Sequence, residues 1–166
     1  MGVKTAADCT SDLMFLLSQA SHALTTELTA GLASLGISPR AYCVLTSAQT
    51  GELTQTQLAD RCALDKTTMV VTLDELERSG LAERRPSGTD RRARIISVSA
   101  AGERAVAAAR DIVAGIYDDV LGSLPAGDRE VFLAALVRLV SGRLATPAHC
   151  ERPVRRRAPR VPQAVG

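Results

Sequence analysis

Aromatic side chains are almost missing from this sequence: two Tyr, two Phe and no Trp make up 2% of 166 residues. Proteins that hold single-stranded nucleic acid stack its bases on aromatic rings, so that class of partner is disfavoured. Long hydrophobic runs are missing as well. None approaches the roughly 20 residues that cross a bilayer, and the first ten residues carry Lys4 and Asp8 where a signal peptide would have an apolar block. No membrane partner is expected, and the cytoplasm is the expected compartment.

Metal-binding and catalytic residue patterns are equally thin. Cys9, Cys43, Cys62 and Cys150 stand far apart with no C-x-x-C pair, and only His22 and His149 could add imidazole, so neither a metal site nor a cofactor is expected. Cys43 and Cys62 fall in apolar-periodic stretches, where buried structural thiols are the expectation. No nucleophile–base motif or Gly-rich phosphate loop is present, which leaves nothing to carry catalysis. An enzyme is not expected.

Charge is present but unevenly spread. The formal net charge is only +2, yet residues 81–94 hold five arginines (Arg84, Arg85, Arg91, Arg92, Arg94) against Glu83 and Asp90. Residues 151–166 hold five more against Glu151, and the remainder of the chain is net acidic. Basic clusters without stacking aromatics favour duplex over single strands.

Periodicity supplies the organisation. Leu13, Leu16, Leu17, Ala20, Leu24, Leu28, Leu32 and Leu35 recur at three and four residues, the stripe of a long helix closed by Gly36. Ser38-Pro39 pairs a cap with a proline at the first helical position and predicts a helix over about 39–48. Thr54 and Gln57 fit a capping box before a short helix. Asp65 caps the next, with Met69, Leu73 and Leu76 on its inner face and Gly80 at its end. Two short helices joined by a tight turn form a helix-turn-helix. Leu81–Arg85, a turn-rich Pro86-Ser87-Gly88-Thr89-Asp90 and Ile95–Val98 then read as a β-hairpin with a basic tip.

Ser99 caps a long helix whose inner face uses Ala105, Ala109, Ile112, Ile116 and Val120, ending near Gly122. A last helix from Pro125 buries Phe132, Leu136, Leu139 and Val140. Pro147, Pro153, Pro159 and Pro162 among Arg and Ala leave the end a basic, unfolded tail. The expected fold is mainly α with a small β-hairpin: a winged helix-turn-helix over 37–99, flanked by dimerisation helices over 1–36 and 100–145 and followed by the tail over 146–166. The flanking stripes need a partner, and a second copy of the chain is the simplest one.

The segment LTQTQLADRCALDKTTMVVTLDELERSGLAERRPSGTDRRARIISVSAAGE closely resembles the winged helix-turn-helix of the MarR family, the multiple-antibiotic-resistance type of bacterial regulators. Its wing is the most specific part: D-R-R-A-R follows a Pro/Ser/Gly turn and leads into a strand and S-A-A-G-E. With the flanking helices in the family's order, the resemblance covers about residues 13–144. It implies a homodimer that reads the two halves of a pseudo-palindromic operator in double-stranded DNA, most often as a repressor. Recognition helices of such a dimer enter successive major grooves about one turn apart while wings reach the flanking minor grooves.

By this resemblance Asp90 and Arg92 form the wing's acid–arginine pair, and Arg91 and Arg94 are further wing or phosphate contacts. The recognition helix offers Lys66 to phosphate, the Thr67, Thr68 and Thr72 hydroxyls to phosphate or base edges, and the Val71 and Thr72 methyls to thymine 5-methyl groups. Many relatives place an arginine near Val71-Thr72, and this chain has none there. Asp74 and Arg78 are spaced as an i,i+4 surface pair.

The resemblance also implies a cleft for a small phenolic or lipophilic effector, to which Ser18, Ser21, His22 and Tyr42 would contribute polar groups. Two alternatives remain at this stage. One is thiol-based sensing through Cys9, near the place where a peroxide-sensing branch carries its cysteine, although Met14 in LMFLLS occupies the comparable position. The other is a winged-helix protein-interaction module that does not bind DNA.

Overall fold

The computed structural model describes residues 12–88 and 93–148. Along the chain run α1 (Leu13–Leu32), a 3-10 turn (Ala33–Leu35), α2 (Pro39–Ala48), α3 (Gln55–Arg61), α4 (Lys66–Arg78), β1 (Ala82–Pro86), β2 (Arg94–Val98), α5 (Ala100–Gly122) and α6 (Asp128–Ser141). They divide into two compact units at residues 121 and 122, the second holding α6.

Each short helix begins where a side chain takes up its orphan N–H groups. Ser38 Oγ accepts from the Ala41 N–H at 3.1 Å. Gln57 N–H donates to Thr54 Oγ1 at 3.3 Å while Thr54 N–H donates to Gln57 Oε1 at 2.8 Å, completing the capping box. Caps of this kind stabilise by about 1 kcal/mol each. Between α3 and α4 the chain turns at Ala63 with φ of 51°, an αL conformation that costs an alanine about 1–2 kcal/mol. Leu64 N–H closes that turn on the Ala59 carbonyl at 2.9 Å. The turn thereby fixes the angle at which α4 leaves α3.

The core lies among α2, α3, α4, the hairpin and the first half of α5. Leu45, Leu58, Met69, Leu73, Leu76 and Val106 are all at most 2% exposed, and side chains of this size contribute about 1.5–3 kcal/mol each when fully buried. β1 and β2 pair antiparallel with Arg84 opposite Ile96 and Pro86 opposite Arg94. A bridge from Thr54 to Ile95, and an Ile96 N–H to Leu53 carbonyl bond of 3.0 Å, attach the segment before α3 to the outer edge of β2. Hairpin and helix-turn-helix are thus joined through their backbones.

Ser99 caps α5 as expected: its Oγ accepts from Gly102 N–H at 3.0 Å and donates to the Gly80 carbonyl at 2.7 Å. Gly102 itself lies so close to the residue before β1 that a Cβ there would sit 2.1 Å from the Leu81 carbonyl oxygen. At the other end of the same unit, Gly31 of α1 abuts Ile112 and Ile116 of α5. The buried face of α5 runs through Gly102, Val106, Ala109 and Val113. This corrects the expected stripe: Val106 and Val113 are core residues, while Val120 is 37% exposed.

The expected burial of Phe132, Leu136, Leu139 and Val140 is also corrected. In α6 no residue is buried; Leu136 is intermediate and Phe132, Leu139 and Val140 are 48%, 43% and 58% exposed. The N-terminal half of α1 repeats the pattern, with Leu13, Met14, Leu16 and Leu17 all exposed. Apolar periodicity marks a face for burial, and among the described residues these two faces stay exposed.

Candidate nucleic-acid interface

The start of α4 is held by Asp65, whose carboxylate accepts the Thr68 N–H at 3.0 Å and the Thr68 hydroxyl at 2.6 Å. Those bonds hold its pKa below the usual carboxylate value, the hydroxyl contributing most. Lys66 and Thr67 are exposed, and so are Val70 and Val71, at 39% and 48%. Thr68 is half-buried with its hydroxyl committed to the cap.

Thr72 requires a correction. It is 1% exposed and belongs to the core side of α4, because it stands three residues after Met69 and four before Leu76 on one stripe. Its hydroxyl donates to the Thr68 carbonyl at 2.8 Å, which lets a polar side chain occupy that face. It cannot reach a groove. Val70, which sequence reasoning passed over, takes its place among the exposed residues.

Beyond α4, the hairpin is clamped to the helix by Arg84 on β1. Its guanidinium reaches Asp74 at 2.8 Å and also binds Glu77, while its backbone N–H donates to Glu77 Oε1 at 2.9 Å. Asp74 therefore pairs across ten residues with Arg84, where the spacing alone pointed to Arg78. One of the five arginines of this basic segment is thus a structural brace. Arg85 pairs with Glu83. Arg94 is exposed at the first position of β2. Asp90, Arg91 and Arg92 lie outside the described residues.

The candidate effector residues are only partly gathered. Ser18, Ser21 and His22 are exposed on α1, and among the described residues no hydrogen bond joins them to Tyr42, which is half-buried on α2. Tyr42 instead neighbours Tyr117 of α5: burial, then the proximity of Tyr42 and Cys43, pushes the Tyr117 phenol above its ordinary value. Tyr117 was not anticipated, since its partner lies across the fold. A separate open groove of about 730 Å3 is lined by Glu52, Arg85, Ile95, Ile96, Val98 and Glu103 among others, and includes none of the four candidates.

The two described cysteines depart from the expectation of isolated buried thiols. Cys43 is exposed and Cys62 intermediate. Cys62 Sγ lies 3.8 Å from the Cys43 carbonyl and 3.5 Å from Ser47 Oγ. Burial of the sulfur, followed by Cys62, pushes the Cys43 thiol up to about 11, so it is protonated at neutral pH. Cys9 lies outside the described residues. Among the described residues no cluster of three or more His, Cys, Asp or Glu could hold a metal ion, and no helix is long and apolar enough to cross a membrane.

Comparison with known proteins places this geometry. The MarR family model matches residues 35–93, which contain α2, the helix-turn-helix and β1 and end just before β2. Transcriptional regulator HosA of Escherichia coli O127:H6 is 29% identical over 87 residues, which span 52% of this chain and 64% of that relative, just under two thirds of its length. CouR from Rhodococcus jostii RHA1, solved bound to p-coumaroyl-CoA, is 26% identical with a TM-score of 0.72, covering 86% of this chain and 98% of its own. CouR bound to a 23-mer DNA duplex shares the fold at 24% identity and a TM-score of 0.72, covering 86% of this chain and all of that one (100%).

Proposed function

We propose that the chain is a member of the MarR family and, as such, a homodimeric, sequence-specific DNA-binding transcriptional regulator, acting as a repressor in the cytoplasm and released from a pseudo-palindromic operator by a small phenolic or lipophilic effector. The observation that carries the reading is the Arg84 clamp, which sets an exposed helix face and a basic hairpin at one fixed spacing. A rigid pair of prongs of this kind matches a major groove and its neighbouring minor groove. Lys66, Thr67, Thr68, Val70 and Val71 serve the first prong, and Arg91, Arg92 and Arg94, with Asp90 orienting Arg92, serve the second.

Dimerisation uses the segments 1–36 and 100–145, whose uncovered leucines, valines and phenylalanines a second copy would bury. Residues 37–99 form the DNA-binding part, and the tail over 146–166 adds phosphate attraction. CouR's complex with p-coumaroyl-CoA supports an effector of aromatic character, and the Tyr42–Tyr117 neighbourhood supplies phenols to meet it. Such a molecule weakens DNA binding only through its difference in affinity for the free and bound conformations.

The test is a mobility-shift titration against the duplex upstream of the protein's own gene at several salt concentrations. Affinity should fall steeply with salt, because each phosphate neutralised by Lys or Arg releases condensed counterions. Arg92→Ala should weaken binding without unfolding the protein, and Leu136→Asp should shift the dimer toward monomer in sedimentation. Weak, salt-insensitive binding would favour a protein-interaction module instead.

A further inference from the structure

The exposed face of α4 is short of hydrogen-bonding groups in the half that enters a groove first. Thr67, Val71, Asp74 and Arg78 recur at four, three and four residues, opposite the stripe of Met69, Thr72, Leu73 and Leu76. Recognition helices present their N-terminal residues to base edges, which leaves Lys66, Thr67, Val70 and Val71 as the reading set. The two other threonines of this helix are spent: Thr68 donates to Asp65, and Thr72 is buried and donates to Thr68. Asp74 is spent on Arg84. No Asn, Gln or Arg stands in this half of the helix to make a bidentate contact with adenine or guanine.

Two neighbouring valines nevertheless remain 39% and 48% exposed on a helix that begins with the exposed Lys66 and is clamped through Arg84 to a hairpin bearing the exposed Arg85 and Arg94. Exposed apolar groups set among cations suit a partner that is anionic outside and apolar at discrete points within. Duplex DNA is such a partner: thymine alone puts a methyl group on the floor of the major groove.

We propose that Val70 and Val71 are the specificity-determining residues of α4, reading the 5-methyl groups of thymines in each half-site, so that operator choice in the major groove rests on apolar contact. The inference rests on the DNA-binding reading above. It assigns a base class to the helix and makes the operator sensitive to a single carbon atom.

The experiment begins by selecting duplexes from a random library with the full-length chain, then replacing each thymine of the selected half-site by uracil, which removes the methyl and leaves base pairing intact. Burial of one such group corresponds to about a fourfold change in affinity. At one or two positions uracil should weaken binding by about that factor, and Val71→Ala or Val70→Ala should lower affinity for the thymine duplex while abolishing the thymine–uracil difference. Both valines are exposed and alanine favours helix, so the variants should keep the parent's melting temperature. Enrichment of no duplex would defeat the DNA-binding reading and this inference with it. A selected duplex indifferent to uracil at every position would overturn the inference alone, as would discrimination that persists in both valine variants.

Discussion

Gly102 offers a prediction whose sign is opposite to the one helix propensity gives. In a helix interior, replacing Gly by Ala ordinarily stabilises by about 0.8–1 kcal/mol. At position 102 the added Cβ would lie 2.1 Å from the Leu81 carbonyl oxygen and 2.7 Å from Val98 Cγ1. The oxygen is backbone and cannot rotate away. Nor can the helix start retreat cheaply, because Gly102 N–H is bound to Ser99 Oγ, Ser99 Oγ to the Gly80 carbonyl, and Ser99 N–H to the Leu81 carbonyl at 3.0 Å. Overpacking a tight site costs about 1–3 kcal/mol, and each loosened hydrogen bond adds about 1 kcal/mol. Set against the propensity gain, Gly102→Ala should lose about 2–3 kcal/mol, or roughly 5–10 °C in melting temperature for a chain of this size. Gly115 on the same helix, where an added Cβ would meet nothing within 4 Å, is the matched control, and Gly115→Ala should be neutral or stabilising. Differential scanning calorimetry of both variants decides the matter. A Gly102→Ala protein that melts at or above the parent would refute the packing argument.

Three further outcomes follow from the interface. Removing the Arg84 acceptor by Glu77→Ala should cost about 1–2 kcal/mol in urea denaturation, since the pair is only partly exposed and a backbone N–H loses its partner; a double-mutant coupling with Arg84→Met below about 0.3 kcal/mol would contradict the clamp. Thr72→Val should leave duplex affinity within about twofold and stability within about 1 kcal/mol, because its hydroxyl meets only the Thr68 carbonyl; a tenfold affinity loss would place that hydroxyl on DNA. Asp65 titrates below its ordinary value in the folded chain, so its cap contributes fully above the unfolded value near 3.8 and is lost as pH falls through the depressed one; Asp65→Asn should flatten the acid limb of a stability–pH curve, and identical limbs would reject the assignment.

Most of the fold was legible because its punctuation is local. Ser38, Thr54 with Gln57, Asp65 and Ser99 all cap the helices they precede, and Gly36 and Gly80 take positive φ where helices stop. What escaped sequence reasoning depends on contacts between distant residues or between chains. Arg84 looked like one more wing cation because nothing local ties it to Asp74 and Glu77, ten and seven residues away. Cys43 and Cys62 looked independent because they meet across nineteen residues. Thr72 was legible by its spacing from Met69 and Leu76, but its hydroxyl suggested an outward face. The turn at Ala63 carries no glycine to announce it. In α6 the apolar pattern predicted burial, and among the described residues that face stays exposed, because periodicity marks a face without naming what covers it.

The Arg84 brace has a mechanical consequence. Helix and hairpin are bolted together through a side chain and a backbone amide at once, so α4 and β1 shift as one piece unless that mooring breaks. Under the proposed function, a molecule lodged near Tyr42 and Tyr117 would act in the manner of calipers, opening or closing the gap between the two copies of this fixed unit.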